Sequence, residues 1–140
     1  MLTHCGRAVR RHRRGVRVAG MSEHGHSHDV LNDLRPQHRA LRQAIPEVYR
    51  GFNELSTAAL ADGALPTKFK ELIAMTIGVV HGCDGCIASH AKGAAGAGAT
   101  TQEAAEAIGV AILMNGGPAT IYGARAYAAF CEFAEGPAAT

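Results

Sequence analysis

The chain has 140 residues, 47% apolar and 5% aromatic with no tryptophan, which predicts one domain whose modest core is filled by Ala, Leu, Ile, Val and Met. The net charge of +2 hides a division: Met1 to Gly20 holds six Arg and no acid, leaving eight basic against twelve acidic residues, which argues against a nucleic-acid-binding surface on the folded body. No run reaches the ~18 apolar residues of a membrane span and no secretory h-region opens the chain, so a soluble cytoplasmic protein without a membrane partner is expected.

Residues 1–20 can be read as a basic nucleic-acid arm, an Arg-rich transit segment or sequence upstream of the true start. Met21 opens a second, ordinary N-terminus, so the last is expected, with no ordered structure there. His24, His26 and His28 alternate in SEHGHSHD and could clip a metal ion if extended; a flexible tail over 21–33 is the expectation.

The folded domain is expected over 34–140. From Asp33 the pattern is helical, with Pro36 in a first turn and Leu34, His38 and Leu41 on one face. Pro46 stops that helix and starts another, in which Val48, Phe52, Leu55 and Ala59 recur at amphipathic spacing to about Ala61. DGALP forms a loop, and Pro66 opens a helix over 67–80 that is apolar nearly all round and should be central. Glu71 is its only acid. An acid near a helix N-terminus has an ordinary dipole explanation, but the sequence downstream favours a chemical one.

That sequence is HGCDGCIASH. Cys83, Cys86 and His90 fall within roughly 60° of one another on a helix, so one face carries two thiols and a base. A helix starting at Gly82 or Cys83 puts the thiols in its first turns, where unpaired amides and the macrodipole favour a thiolate. His90 can protonate or hydrogen-bond that sulfur, and Glu71 can relay a proton. A peroxide needs such a nucleophile, a proton donor for the leaving oxygen and a second thiol to resolve the sulfenic acid. Spacing leaves open which cysteine attacks, although proximity to the free amides favours Cys83. His81, Cys83, Cys86 and His90 would also be acceptable zinc ligands, but they crowd into ten residues, whereas structural zinc ties distant segments together.

AKGAAGAGAT looks like a phosphate-cradling loop, yet no strand precedes it and no Lys-Ser/Thr follows. Gly93 to Gly98 are therefore read as close-packing and helix-ending glycines. Thr100 with Glu103 forms a capping box opening a helix that ends at Asn115-Gly116-Gly117. Pro118 starts a last helix with Ile121, Ala124, Ala128 and Cys131 on one seam, so Cys131 is expected as a buried, inert thiol, while Cys5 lies in the basic arm. Tyr122 and Tyr127 offer hydroxyls without an identifiable partner. With no period-two alternation and no internal repeat, the fold expected is an all-α bundle of about six helices.

Glu71, eleven residues, C-x-x-C, three residues and a histidine, with the flanking KELIAMTIGVVHGCDGCIASHAKGAAGAGAT and the downstream EAIGVAILMNGGPA, resemble the carboxymuconolactone decarboxylase-like family and its alkyl hydroperoxidase D branch over about Pro36 to Phe133. The resemblance implies a helical bundle that assembles as a trimer or hexamer and needs no cofactor. It implies that Cys86 is peroxidatic, Cys83 resolving, and Glu71 and His90 a proton relay. A dithiol carrier, a lipoyl group or a thioredoxin-like protein, would reduce the disulfide. In that branch a histidine often stands just before the second cysteine; here the position is Gly85, and two readings stay open: His81 substitutes as a catalytic residue, or it is an ordinary helix-end histidine and the chain a slower enzyme with a different substrate. The alternatives are a general thiol–disulfide oxidoreductase, the decarboxylase activity on a lactone, whose branch generally lacks the cysteine pair, and a helical oligomer with incidental cysteines.

Overall fold

The structure, a computed structural model, describes residues 26–136. Six α-helices follow one another: α1 (His26–Ala44), α2 (Pro46–Leu60), α3 (Thr67–His81), α4 (Asp84–Gly96), α5 (Thr101–Asn115) and α6 (Gly117–Ala134). The described residues contain no strand, so the fold is all-α as the sequence predicts. No helix among them is long and apolar enough to cross a membrane.

The helix starts follow from local chemistry. Pro46 and Pro118 stand in the first turns of α2 and α6, where a missing N–H costs nothing. The turn before α3 is closed by Asp62, whose Oδ1 accepts from the backbone N–H of Thr67 at 2.7 Å and from its hydroxyl at 2.9 Å. Thr100 caps α5: its hydroxyl oxygen accepts from Glu103 N–H at 3.1 Å, while Glu103 Oε2 accepts from Thr100 N–H at 2.8 Å. The same Glu103 takes a 2.7 Å hydrogen bond from Lys68, pinning the first turn of α3 to that of α5.

The core lies among α3, α4, α5 and α6. Leu72, Met75 and Val79 of α3 meet Ile87, Ala91 and Ala94 of α4, Ala104, Ile108 and Ala111 of α5, and Ala119, Ala126, Ala129 and Phe130 of α6. So many alanines bring helix axes close together. At Gly123 even a methyl group is too much, because a Cβ there would lie 2.7 Å from Ile108 Cγ2.

Three expectations are corrected. First, α1 begins at His26, inside the segment expected to be a flexible tail, because Glu132 of α6 supplies its missing cap: the carboxylate accepts from the N–H groups of Ser27 at 3.3 Å and His28 at 3.0 Å. Pro36 is consequently inside the helix and exposed, not in its first turn. Second, the buried stripe of α6 is Ala119, Gly123, Ala126, Ala129 and Phe130, while Ile121, Ala124 and Ala128 of the expected seam are exposed. The smaller stripe is the one that permits contact with α5. Third, Cys131 is half-buried and disulfide-bonded, not a free thiol. The apolar stripe of α2 is left largely open by the described residues: Val48, Phe52 and Leu55 are 64%, 63% and 64% exposed. Phe69, Ile73 and Ile77 form a second exposed row on α3. The basic arm, Cys5 and His24 lie outside the described residues.

Candidate active site

The site is built where α3 gives way to α4. Gly82 takes φ +63°, its N–H reaches Val79 C=O at 3.2 Å, and the N–H of Cys83 reaches Gly78 C=O at 3.0 Å. This paired closure ends α3 and needs a left-handed residue, which glycine adopts without steric penalty. The reversal delivers Cys83 to the N-cap of α4, where its Sγ accepts from the backbone N–H of Cys86 at 3.2 Å. A sulfur thus occupies the place that a serine or aspartate oxygen usually takes.

Cys83 and Cys86 are joined by a disulfide with S–S 2.12 Å and Cα–Cα 5.3 Å. The two are not equivalent: Cys86 is exposed, and Cys83 is half-buried.

One turn beyond Cys86, His90 meets Glu71 of α3, with Nδ1 and Oε2 2.7 Å apart. The carboxylate side chain is only 13% exposed and the imidazole 32%, so the pair is sheltered at Glu71 and open towards His90. With the Glu71 carboxylate accepting, Nδ1 is the donor, and in the neutral imidazole this leaves Nε2 with a lone pair. The solvent-facing dipole role is therefore not the whole account of Glu71. Its carboxylate rests against the backbone of Gly93, one turn beyond His90, where an added Cβ would be 2.5 Å from the carboxyl carbon.

His81, the remaining expected residue, ends α3 exposed and makes no hydrogen bond or ion pair among the described residues. The position of the alternative histidine, Gly85, is covered instead by α1: Leu34 Cδ1 lies 2.9 Å from where a Cβ would be. The zinc arrangement is not assembled, since both sulfurs are consumed by the disulfide and no group of three His, Cys, Asp or Glu among the described residues is placed to hold a metal.

Several neighbours were not visible in the sequence. Arg125 of α6 donates from Nη1 to both oxygens of Asp84, at 3.2 and 3.4 Å, and Asp84 stands between the two cysteines. Tyr122, one turn earlier, lies under the Arg125 guanidinium at 5.1 Å and packs its ring against Gly82. The unexplained acid in C-D-G-C and an Arg–Tyr pair on an otherwise small-residue helix were the only available signals.

A family model described as the carboxymuconolactone decarboxylase family matches residues 46–129. An uncharacterized protein of Cupriavidus necator is 39% identical over 100 residues, covering 71% of this chain and 88% of that protein. The crystal structure of apo carboxymuconolactone decarboxylase family protein from Legionella pneumophila is similar with TM-score 0.74 at 41% identity, covering 77% of this chain and 96% of the other. A Burkholderia xenovorans structure at 24% identity shares the fold, with TM-score 0.64 over 78% of this chain and 94% of its own.

Proposed function

The chain belongs to the carboxymuconolactone decarboxylase family, and within it we propose a thiol-dependent alkyl hydroperoxidase. The observation that carries this reading is an exposed Cys86, paired with Cys83, one helical turn before a histidine whose Nδ1 is fixed by a sheltered carboxylate.

In the reduced protein His90 Nε2 takes the Cys86 thiol proton, and its bond to Glu71 stabilises the imidazolium that forms. The Cys86 thiolate attacks the outer oxygen of a hydroperoxide, ROOH. The O–O bond breaks, the S–O bond of a sulfenic acid forms, and the departing alkoxide receives the proton held by His90, giving ROH. Cys83, as a thiolate at the α4 N-cap, then attacks the Cys86 sulfur; hydroxide leaves and is protonated to water, and the disulfide results. Two electrons have passed from the thiols to the peroxide. A dithiol donor, lipoyl or thioredoxin-like, returns them by attacking the exposed Cys86 sulfur, which releases Cys83 as a thiolate held by the Cys86 N–H. The reading places the protein in the cytoplasm, where such donors are kept reduced.

The exposed apolar rows on α2 and α3 support a homo-oligomer, in which a second copy covers them. His81 is exposed near the disulfide turn and would serve as an auxiliary proton donor.

The test is peptide mapping of fully reduced protein before and after one equivalent of an organic hydroperoxide. Loss of two hydrogens, mapped to a Cys83–Cys86 link and matched by alcohol formation, is the expected result. Thiols that persist alongside unconsumed peroxide would overturn the reading. Turnover of a disulfide substrate without peroxide reduction would reassign the chain as a general thiol–disulfide oxidoreductase.

A further inference from the structure

Asp84 is a liability for a thiolate site. It is the first residue of α4 and lies between the two cysteines, so its negative charge opposes ionisation of both thiols while favouring the helix dipole. The structure shows what stands against it. Arg125 donates to both Asp84 oxygens, at 3.2 and 3.4 Å, from a helix 41 residues away in sequence. The guanidinium is supported from below by the Tyr122 ring at 5.1 Å. That ring in turn sits on the turn before Cys83: a Cβ on Gly82 would come within 3.0 Å of Tyr122 Cζ. The two α6 residues therefore bracket Cys83, one against the residue before it and the other against the residue after it.

We infer that Arg125 is a positioning residue that acts through Asp84: by neutralising that carboxylate it keeps the Cys83–Cys86 pair readily ionised, with Tyr122 holding the guanidinium in place. The other titratable or charged groups on the elements packed around the pair are Asp84, His90 and Lys92 on α4, Lys68, Lys70, Glu71 and His81 on α3, and Tyr127 and Glu132 on α6, with Lys68 engaged by Glu103 and Lys70 by the Ala61 carbonyl. Helix α1 carries His26, His28, Asp29, Asp33, Arg35, His38, Arg39 and Arg42 but meets the turn through the apolar Leu34 at Gly85. Glu132 is engaged with α1, and Glu71 with His90. Among the described residues, only Arg125 supplies a fixed positive charge bonded to a residue inside the C-x-x-C loop.

The inference rests on the peroxidase reading for its use, but its test does not. The ionisation of the thiols is followed by thiolate ultraviolet absorbance against pH at low ionic strength in the fully reduced protein, with no peroxide present. Arg125→Gln is expected to raise the midpoint by about half a pH unit, with a matching roughly three-fold loss in alkylation rate at neutral pH. Arg125→Lys restores most of it. Asp84→Asn placed in the Arg125→Gln background returns the midpoint to that of the unaltered protein, because the charge that needed neutralising is gone. Should Arg125→Gln destabilise the bundle, the Asp84→Asn single variant reads the same coupling: the freed guanidinium lowers the midpoint below the starting value, and an unchanged midpoint overturns the inference. An unshifted midpoint in Arg125→Gln, or a shift that Asp84→Asn does not reverse, overturns the inference. A shifted midpoint in a protein that consumes no peroxide keeps the role of Arg125 and overturns the peroxidase reading.

Discussion

Gly93 makes room for Glu71. Its Cα faces the carboxylate so closely that a Cβ would stand 2.5 Å from the carboxyl carbon and from Oε1, a separation that no side chain tolerates. Gly93→Ala must therefore push Glu71 off its 2.7 Å contact with His90 or push α3 away from α4. Overpacking of this kind costs about 1–3 kcal/mol. The expected outcome is a lower melting temperature together with peroxide turnover reduced as far as in Glu71→Gln. Nitrogen NMR of the imidazole separates the two effects: His90 should lose its fixed Nδ1–H tautomer in both variants.

Gly82 is held twice over, by its φ of +63° and by the Tyr122 ring 3.0 Å from any Cβ. Gly82→Ala incurs about 1–2 kcal/mol for the left-handed backbone before the ring is counted. The Tyr122→Leu background should remove the ring's share and leave the backbone's. Since Gly82 delivers Cys83 to its N-cap, Gly82→Ala should also slow closure of the Cys83–Cys86 disulfide in stopped-flow oxidation, by more than the loss of stability alone predicts.

How much of this was readable beforehand depends on how local the cause is. The starts of α2, α5 and α6 were legible because Pro46, Thr100 with Glu103, and Pro118 act within one turn of themselves. Glu71 and His90 were legible as partners because the chain between them, 19 positions from one to the other, spans a helix, a turn and a helix of readable length. The start of α1 was not, because its capping carboxylate, Glu132, comes from 104 residues further on. The inner face of α6 was missed because alanine and glycine populate all its sides, so periodicity has no contrast to detect. Gly93 was read as a packing glycine, which it is; that the packed group is the Glu71 carboxylate requires knowing the distance between α3 and α4.

Removing the distant cap should loosen α1 alone. Glu132→Ala leaves the N–H groups of Ser27 and His28 without their acceptor, a loss of about 1 kcal/mol. The contact of the His28 ring with Phe133, 4.5 Å between centroids, resists this only in part. Hydrogen exchange is expected to accelerate in the first turns of α1 and to remain slow in α3 to α6. Uniform acceleration would mean that α1 is needed for the whole bundle.

Glu103 ties stability to acid. The hydrogen bond from Lys68, then that from the Thr100 backbone, hold its carboxyl below the usual glutamate range. A carboxylate favoured in the folded state binds its proton more readily in the unfolded chain, so its contribution is complete above the ordinary glutamate range and disappears as pH falls through the lowered folded value. Glu103→Gln should melt below the unaltered protein at neutral pH, with the gap closing in acid. Calorimetry across that window checks the sign: a gap that widens in acid would contradict it.

The last prediction concerns the two cysteines, for which the sequence left opposite assignments open. Proximity to the α4 amides favours Cys83 as the better thiolate, and the structure indeed gives its sulfur the N–H of Cys86 at 3.2 Å. Access favours Cys86, which is exposed while Cys83 is half-buried, and it is Cys86 that lies one turn before His90. A stabilised thiolate is both a weaker nucleophile and a better leaving group, so the same N-cap bond that lowers the energy of Cys83 suits it to resolve and to depart. Cys83→Ser should therefore consume one equivalent of hydroperoxide and hold a sulfenic acid on Cys86, trappable by a dione reagent and seen by mass. Cys86→Ser should consume none within the same time. The reverse pattern would assign attack to Cys83 and leave His90 serving the resolving step.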